Sequence, residues 1–120
     1  MPKLVHSRDG SIVKEYVLEE GLYTIGRRPS CDIQIDDVTV SGQHAIISVA
    51  ASEYMDGVFD IHIEDQGSTN GTIVNGRRIK KHLFKHGQVA QIGTHDLALI
   101  DEGTRAFEET EVLLPDQPDQ

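Results

Sequence analysis

Every second residue is apolar in Asp32-Ile33-Gln34-Ile35-Asp36 and in Phe59-Asp60-Ile61-His62-Ile63-Glu64. That period of two puts one face of a strand into a core and the other into water. Ala45-Ile46-Ile47-Ser48-Val49, Val89-Ala90-Gln91-Ile92 and Leu97-Ala98-Leu99-Ile100 are more continuously apolar, as more deeply covered strands are. Ile12 to Leu18 and Leu22 to Ile25 complete the set. Asp9-Gly10, Glu20-Gly21, Pro29-Ser30, Asp56-Gly57, Asn75-Gly76, His86-Gly87 and Gly93-Thr94 separate these runs with turn-forming residues. There is no clear helix before residue 103 and no internal repeat. Many short strands at nearly regular spacing predict an all-β fold, a β-sandwich.

Two Asn-Gly pairs stand five positions apart in Asn70-Gly71-Thr72-Ile73-Val74-Asn75-Gly76. Asn-Gly accepts the positive φ angles of a two-residue hairpin turn. The second pair lies between Ile73-Val74 and Arg77-Arg78-Ile79, so it closes a hairpin. The first follows Gly67-Ser68-Thr69, a cluster of hydroxyls, an amide and backbone N–H groups that a sandwich places in an end loop, where binding function commonly sits.

Composition narrows the class. The 120 residues carry a formal charge of −9 with 38% hydrophobic residues and no Trp, so Ile, Val, Leu and Ala build the core of what should be one domain. Residues 101–120 hold seven acids against Arg105 alone, giving that segment −6 and leaving −3 for residues 1–100. We therefore divide the chain into a domain over 1–100 and an acidic tail or linker over 101–120. An acidic balance argues against nucleic acid, which binds a basic face through counterion release. The single Cys31 allows no internal disulfide and suits a reduced, cytoplasmic setting. No apolar run is long enough to span a membrane.

Ile25-Gly26-Arg27, Ser41-x-x-His44, Ser68-Thr69-Asn70-Gly71 and Ile92-Gly93 together resemble the forkhead-associated (FHA) domain, in order and from about Tyr16 to Ile100. The resemblance implies a sandwich of about eleven strands in two sheets that binds phosphothreonine peptides through loops at one end. It implies that Arg27 supplies charge, Ser41 and Thr69 hydroxyls, and Gly42 a backbone N–H to the phosphate. Asn70 would hold the peptide main chain, while Gly26, His44 and Gly71 support the loops. The chemistry is consistent: a phosphothreonine carries nearly two negative charges and three acceptor oxygens, which call for a cation, hydroxyls and free N–H groups. Gly42 departs from the Arg, Lys or Asn many members carry there, and Thr39 stands where some have an arginine that reads the peptide. Arg28 and Thr39 are the candidates for peptide specificity. Some bacterial members capture their own phosphorylated flanking threonine, which makes Thr110 a candidate phosphosite and the tail a candidate ligand.

Other readings carry less of the sequence. A Ser41–His44 nucleophile lacks an orienting group and a GxSxG elbow, so no enzyme is expected. His82 and His86 lack a third ligand at motif spacing, so neither metal nor cofactor is expected. Arg77-Arg78-Ile79-Lys80-Lys81 reads as a solvated face without aromatic interleaving. The rival function is a phospho-independent interaction scaffold or regulatory inhibitor using the same loops.

Overall fold

A computed structural model describes residues 2–101; Thr110 and the rest of the acidic segment from residue 102 lie outside the described residues. Eleven strands form two sheets: β1 (Lys3–Arg8), β2 (Ser11–Val17), β3 (Gly21–Gly26), β4 (Ile33–Gln34), β5 (Ala45–Ala51), β6 (Phe59–Asp65), β7 (Thr72–Val74), β8 (Arg77–Ile79), β9 (Lys81–Leu83), β10 (Val89–Ile92) and β11 (His95–Ile100). One sheet has the order β2-β1-β11-β10-β7-β8 and the other β4-β3-β5-β6-β9. Among the described residues only the β3–β4 pairing is parallel.

Alternation becomes burial. Ala45, Ile47 and Val49 of β5, Ile61 and Ile63 of β6, and Leu97 and Leu99 of β11 point into the core with Leu4, Ile25, Ile92 and Phe84. Fully burying an aliphatic or Phe side chain of this size contributes roughly 1.5–3 kcal/mol. At Asn75-Gly76 both φ angles are positive, 55° and 76°, and Val74 pairs with Arg77, the expected two-residue hairpin. At Asn70-Gly71 only Gly71 has positive φ, so the first pair shapes a loop of another kind.

Two strands were not expected from the pattern, β1 and β9, and the stretch Asp32–Asp36 is shorter as a strand than its alternation suggests. Ile33 and Ile35 are both buried, but only Ile33 and Gln34 pair with β3, while the Ile35 N–H donates to the Gly26 carbonyl at 2.8 Å. His82 lies on β9 and shares a hydrogen bond with Gln88 Oε1 at 3.0 Å, whereas His86 Nδ1 accepts the Asp101 N–H at 2.9 Å. The two histidines thus serve separate partners.

Buried polar residues tie the β1–β11 side to the loop entering β5. His95 Nε2 donates to Asp37 Oδ2 at 3.2 Å and His95 Nδ1 accepts from His6 Nε2 at 2.7 Å, leaving His6 Nδ1 buried with no partner among the described residues. Burial, followed by the neighbouring His95, lowers the His6 pKa below the ordinary 6.5. Protonation is therefore easier in the unfolded chain, and stability must fall as pH drops below 6.5 toward the folded-state pKa. His6→Gln keeps a donor for His95 but does not titrate. Denaturation at stepped pH should show its stability curve flatter over that window by up to about 1.4 kcal/mol per pH unit; equal slopes would remove His6 from the effect.

Candidate functional site

Three connections meet at one end of the sandwich: β3–β4, β4–β5 and β6–β7. The first two are zipped together, with the Arg27 N–H donating to the Ser41 carbonyl at 3.0 Å and the Arg28 N–H to the Gly42 carbonyl at 3.2 Å. Gly26 makes the approach possible, because a Cβ there would collide with the Gly42 carbonyl and come within 3.0 Å of Cys31 Sγ.

The third connection is tied in by His44, which is fully buried. Its Nδ1 accepts the Ser41 N–H at 3.1 Å, so Nε2 carries the proton and donates to the Gly71 carbonyl at 2.9 Å. Beside it, Ser41 Oγ accepts the Thr69 N–H at 3.1 Å, and Asn70 Nδ2 donates to the Thr39 carbonyl at 2.8 Å. These bonds link Thr39, Ser41, His44, Thr69, Asn70 and Gly71 into one lattice, to which the β3–β4 zipper adds Gly26, Arg27, Arg28 and Gly42.

The lattice rests on two carboxylates that the sequence reading did not single out. Asp65 Oδ2 accepts the N–H groups of Gly67 and Ser68, each at 3.0 Å, while Oδ1 accepts the hydroxyls of Ser68 at 2.5 Å and Thr72 at 2.8 Å. Burial opposes its ionisation, but the bonds from Ser68, Thr72 and Gly67 prevail and hold its pKa below the usual carboxylate value. Asp37 is held well below its ordinary value first by the Thr39 hydroxyl and N–H, then by Thr94 and His95. The local signal for both is an Asp whose side chain accepts N–H groups two or three residues on.

Arg78 corrects the reading of Arg77–Lys81 as a merely solvated face. Arg78 Nη2 donates to the Ser68 carbonyl at 3.1 Å, and the guanidinium covers Gly71, where a Cβ would lie 2.6 Å from Arg78 Nε. With φ at 87°, Gly71 is fixed by its backbone, and a Cβ there would also displace the Arg78 side chain.

What the lattice leaves over is a set of donors. The Arg27 guanidinium is exposed and has no hydrogen bond or ion pair among the described residues. The hydroxyls of Ser41 and Thr69 have no acceptor there, and neither does the Gly42 N–H. Asn70 is exposed, with one amide N–H and its carbonyl oxygen unused among the described residues. The Thr39 hydroxyl is committed to Asp37 at 2.6 Å. Chemically, the rim can receive an anion with several acceptor oxygens.

The FHA-domain profile matches residues 23–93, which takes in every residue of the lattice. Among curated proteins the chain is 38% identical over 103 residues to an oxoglutarate dehydrogenase inhibitor of Corynebacterium diphtheriae, covering 86% of this chain and 66% of that one. It is 32% identical over 97 residues to the glycogen accumulation regulator GarA of Mycobacterium tuberculosis, covering 81% of this chain but 56% of GarA. The chain thus spans little more than half the length of that relative. Among solved structures, the FHA domain of the CT664 protein of Chlamydia trachomatis superposes with a TM-score of 0.72 at 32% identity, covering 83% of this chain and 96% of that one. Mycobacterium tuberculosis EmbR, in complex with a low-affinity phosphopeptide, superposes with a TM-score of 0.67 at 26% identity, over 82% of this chain and 24% of EmbR. A profile spanning more than half of the chain, together with an eleven-stranded sandwich that superposes on a solved FHA domain, makes this protein a member of the forkhead-associated family.

Proposed function

We propose that this domain binds phosphothreonine-bearing segments of partner proteins and acts by binding, without turnover, in kinase signalling. Arg27 supplies the cation, Ser41 and Thr69 their hydroxyls and Gly42 its N–H to the phosphate, and Asn70 holds the ligand main chain. One observation carries the reading: among the described residues these donors stand unused on a rim whose own backbone is already held by His44, Asp37 and Asp65. A site built this way loses little freedom on binding. The EmbR structure supports it as an example of the same fold with a phosphopeptide. The partner is a protein, reached in the cytoplasm, rather than nucleic acid or a membrane. The described residues form no helix long and apolar enough to cross a membrane.

A second reading is favoured by the relatives that are named a regulator and an inhibitor: the loops hold an unphosphorylated protein and regulate it. Such a complex survives both phosphatase treatment of the partner and Arg27→Ala, whereas the phosphate reading loses it to either.

Arg27→Ala should leave the melting temperature unchanged and cost roughly 2–5 kcal/mol of phosphopeptide binding, at least tenfold in affinity. His44→Ala should lower both, since it strands the Ser41 N–H and the Gly71 carbonyl and opens a cavity; about 2–4 kcal/mol of stability is expected. Calorimetric titration beside thermal melts separates the two. Less than threefold loss in Arg27→Ala would show that another group anchors the phosphate.

Phosphothreonine should bind more than fourfold better than phosphoserine. Burial of the extra methyl contributes on the order of 0.8 kcal/mol, and the β-branch also stiffens χ1 toward one phosphate position. Equal affinities would show that no methyl contact exists. Phosphorylation of Thr110 should weaken binding of an added phosphopeptide by tethered competition, read in the same titration; unchanged affinity would leave the tail a linker.

A further inference from the structure

Asp37 bolts the loop that carries Thr39 and Ser41 to the opposite sheet. Its Oδ1 accepts the N–H and the hydroxyl of Thr39 at 2.8 and 2.6 Å, within the β4–β5 connection. Its Oδ2 accepts the Thr94 hydroxyl at 3.0 Å and the His95 Nε2 proton at 3.2 Å, and both of these belong to the β10–β11 hairpin of the other sheet. Hairpin and loop also touch, since a Cβ on Gly93 would collide with Thr39 Oγ1 and lie 3.1 Å from Val40 Cγ2. Thr39 in turn holds Asn70, whose Nδ2 donates to the Thr39 carbonyl at 2.8 Å. That bond fixes the Asn70 amide by one N–H and leaves its oxygen and second N–H for a ligand.

An ionised carboxylate only accepts, so His95 carries its proton on Nε2, its Nδ1 accepts, and His6 donates from Nε2 across 2.7 Å. His6 thereby orients the His95 ring. Both imidazoles are buried, and their centroids lie 4.9 Å apart. The pair has little room to rearrange, because moving the His6 proton to Nδ1 would set it on an atom buried without a partner among the described residues. A further proton on the pair either makes both facing nitrogens donors or strands a proton on that Nδ1, so acid breaks the bond that orients His95. The other groups facing the pair are cations with partners of their own. Lys14 stands opposite His6 on β2 with its ammonium 5.0 Å from the centroid of the Tyr16 ring, and Arg8 stands opposite His95 on β1 with its Nε 4.0 Å from Asp9. Leu97, opposite His6 on β11, and Ile92, opposite His95 on β10, do not titrate. Burial, then the neighbouring His95, holds the His6 pKa below 6.5, so His6 is neutral at pH 7.5 and gains its proton as pH falls below 6.5 toward the folded-state pKa.

We propose that His95, oriented by His6, is a positioning residue for the Asn70 amide, acting through Asp37 and Thr39. The proposal rests on the reading in which Asn70 holds the ligand main chain. It extends the site inward: the rim meets the ligand, and a buried histidine pair in the opposite sheet sets the direction of one of its groups. It also gives binding a pH dependence separate from that of the phosphate, whose own second pKa is about 6. Affinity falls in acid as the histidine pair takes up a proton and lets go of Asp37.

The test is calorimetric titration of one phosphothreonine peptide and its unmodified twin into the full chain, with His95→Phe, Asn70→Ala, their double variant and His6→Gln beside the wild type. At pH 7.5 His95→Phe should weaken phosphopeptide binding about tenfold, the loss of one aligned hydrogen bond. The same change should cost less than about twofold when residue 70 is already alanine, because the two act in series. Equal losses with and without Asn70 would overturn the proposal and make His95 a support of the fold alone. Between pH 7.5 and 5.0 the wild type should lose at least about threefold more affinity than His6→Gln, the phosphate's own titration being common to both. Equal losses over that range would overturn it, and this arm stands even where His95→Phe does not fold. An Asn70→Ala variant that binds as tightly as wild type would remove the main-chain grip and the proposal with it, while a preference for the phosphopeptide over its twin would still support the phosphate reading. Equal binding of the phosphopeptide and its twin would overturn the phosphate reading, whatever the cycle at Asn70 shows.

Discussion

The loop end of this sandwich depends on one buried imidazole. His44 sits at the start of β5, on the backbone that pairs with β3, and its two nitrogens reach in opposite directions, to the Ser41 N–H and the Gly71 carbonyl. Loops from both sides of the site are thereby referred to the rigid sheet. Without a side chain that accepts at one atom and donates at another, two backbone groups in a buried setting would lack partners, a loss of about 1–3 kcal/mol each. Among side chains of this size, neutral histidine offers one acceptor and one donor on a flat ring that also fills core volume.

Two carboxylates under a rim proposed to receive an anion look self-defeating until their partners are counted. Asp65 accepts two N–H groups and two hydroxyls, and Asp37 accepts from Thr39, Thr94 and His95. Their charge is spent inward on donors that fix loop shape, while the uncommitted donors of Arg27, Ser41 and Thr69 remain on the outside. The depressed pKa values of both acids record the same arrangement: each is more comfortable ionised within these loops than in water. The arginines divide similarly. Arg78 is used up in holding Ser68 and covering Gly71, whereas Arg27 and Arg28 keep their guanidinium groups unpaired among the described residues.

Much of this was legible in the chain because it is local. The period-two runs of β5, β6 and β11 follow from which face is buried, and Asn75-Gly76 specifies its own turn. The four short motifs, in order, led to the family. What escaped lacks local expression. β9 is three residues with Lys81 and Leu83 exposed, so no alternation marks it, and β1 buries a histidine where the pattern asks for an apolar residue. Ile35 shows that alternation reports burial and not pairing. The contacts of Arg28 with Gly42 and of His6 with His95 join positions distant in sequence, and the contact of Arg78 with Gly71 crosses the β7–β8 hairpin to a side chain whose direction the sequence does not show. Gly42, which in the sequence reads as a missing side chain, in the structure is the room that Arg28 fills.

A backbone amide NMR titration with one phosphothreonine peptide and its unmodified twin tests the central claim most directly. The account expects the phosphopeptide to shift amides confined to residues 26–28, 41–44 and 67–71, with little change elsewhere because the loops are already in place, and the unmodified twin to shift none of them at the same concentration. Shifts centred on a sheet face, or equal responses to the two peptides, would contradict it.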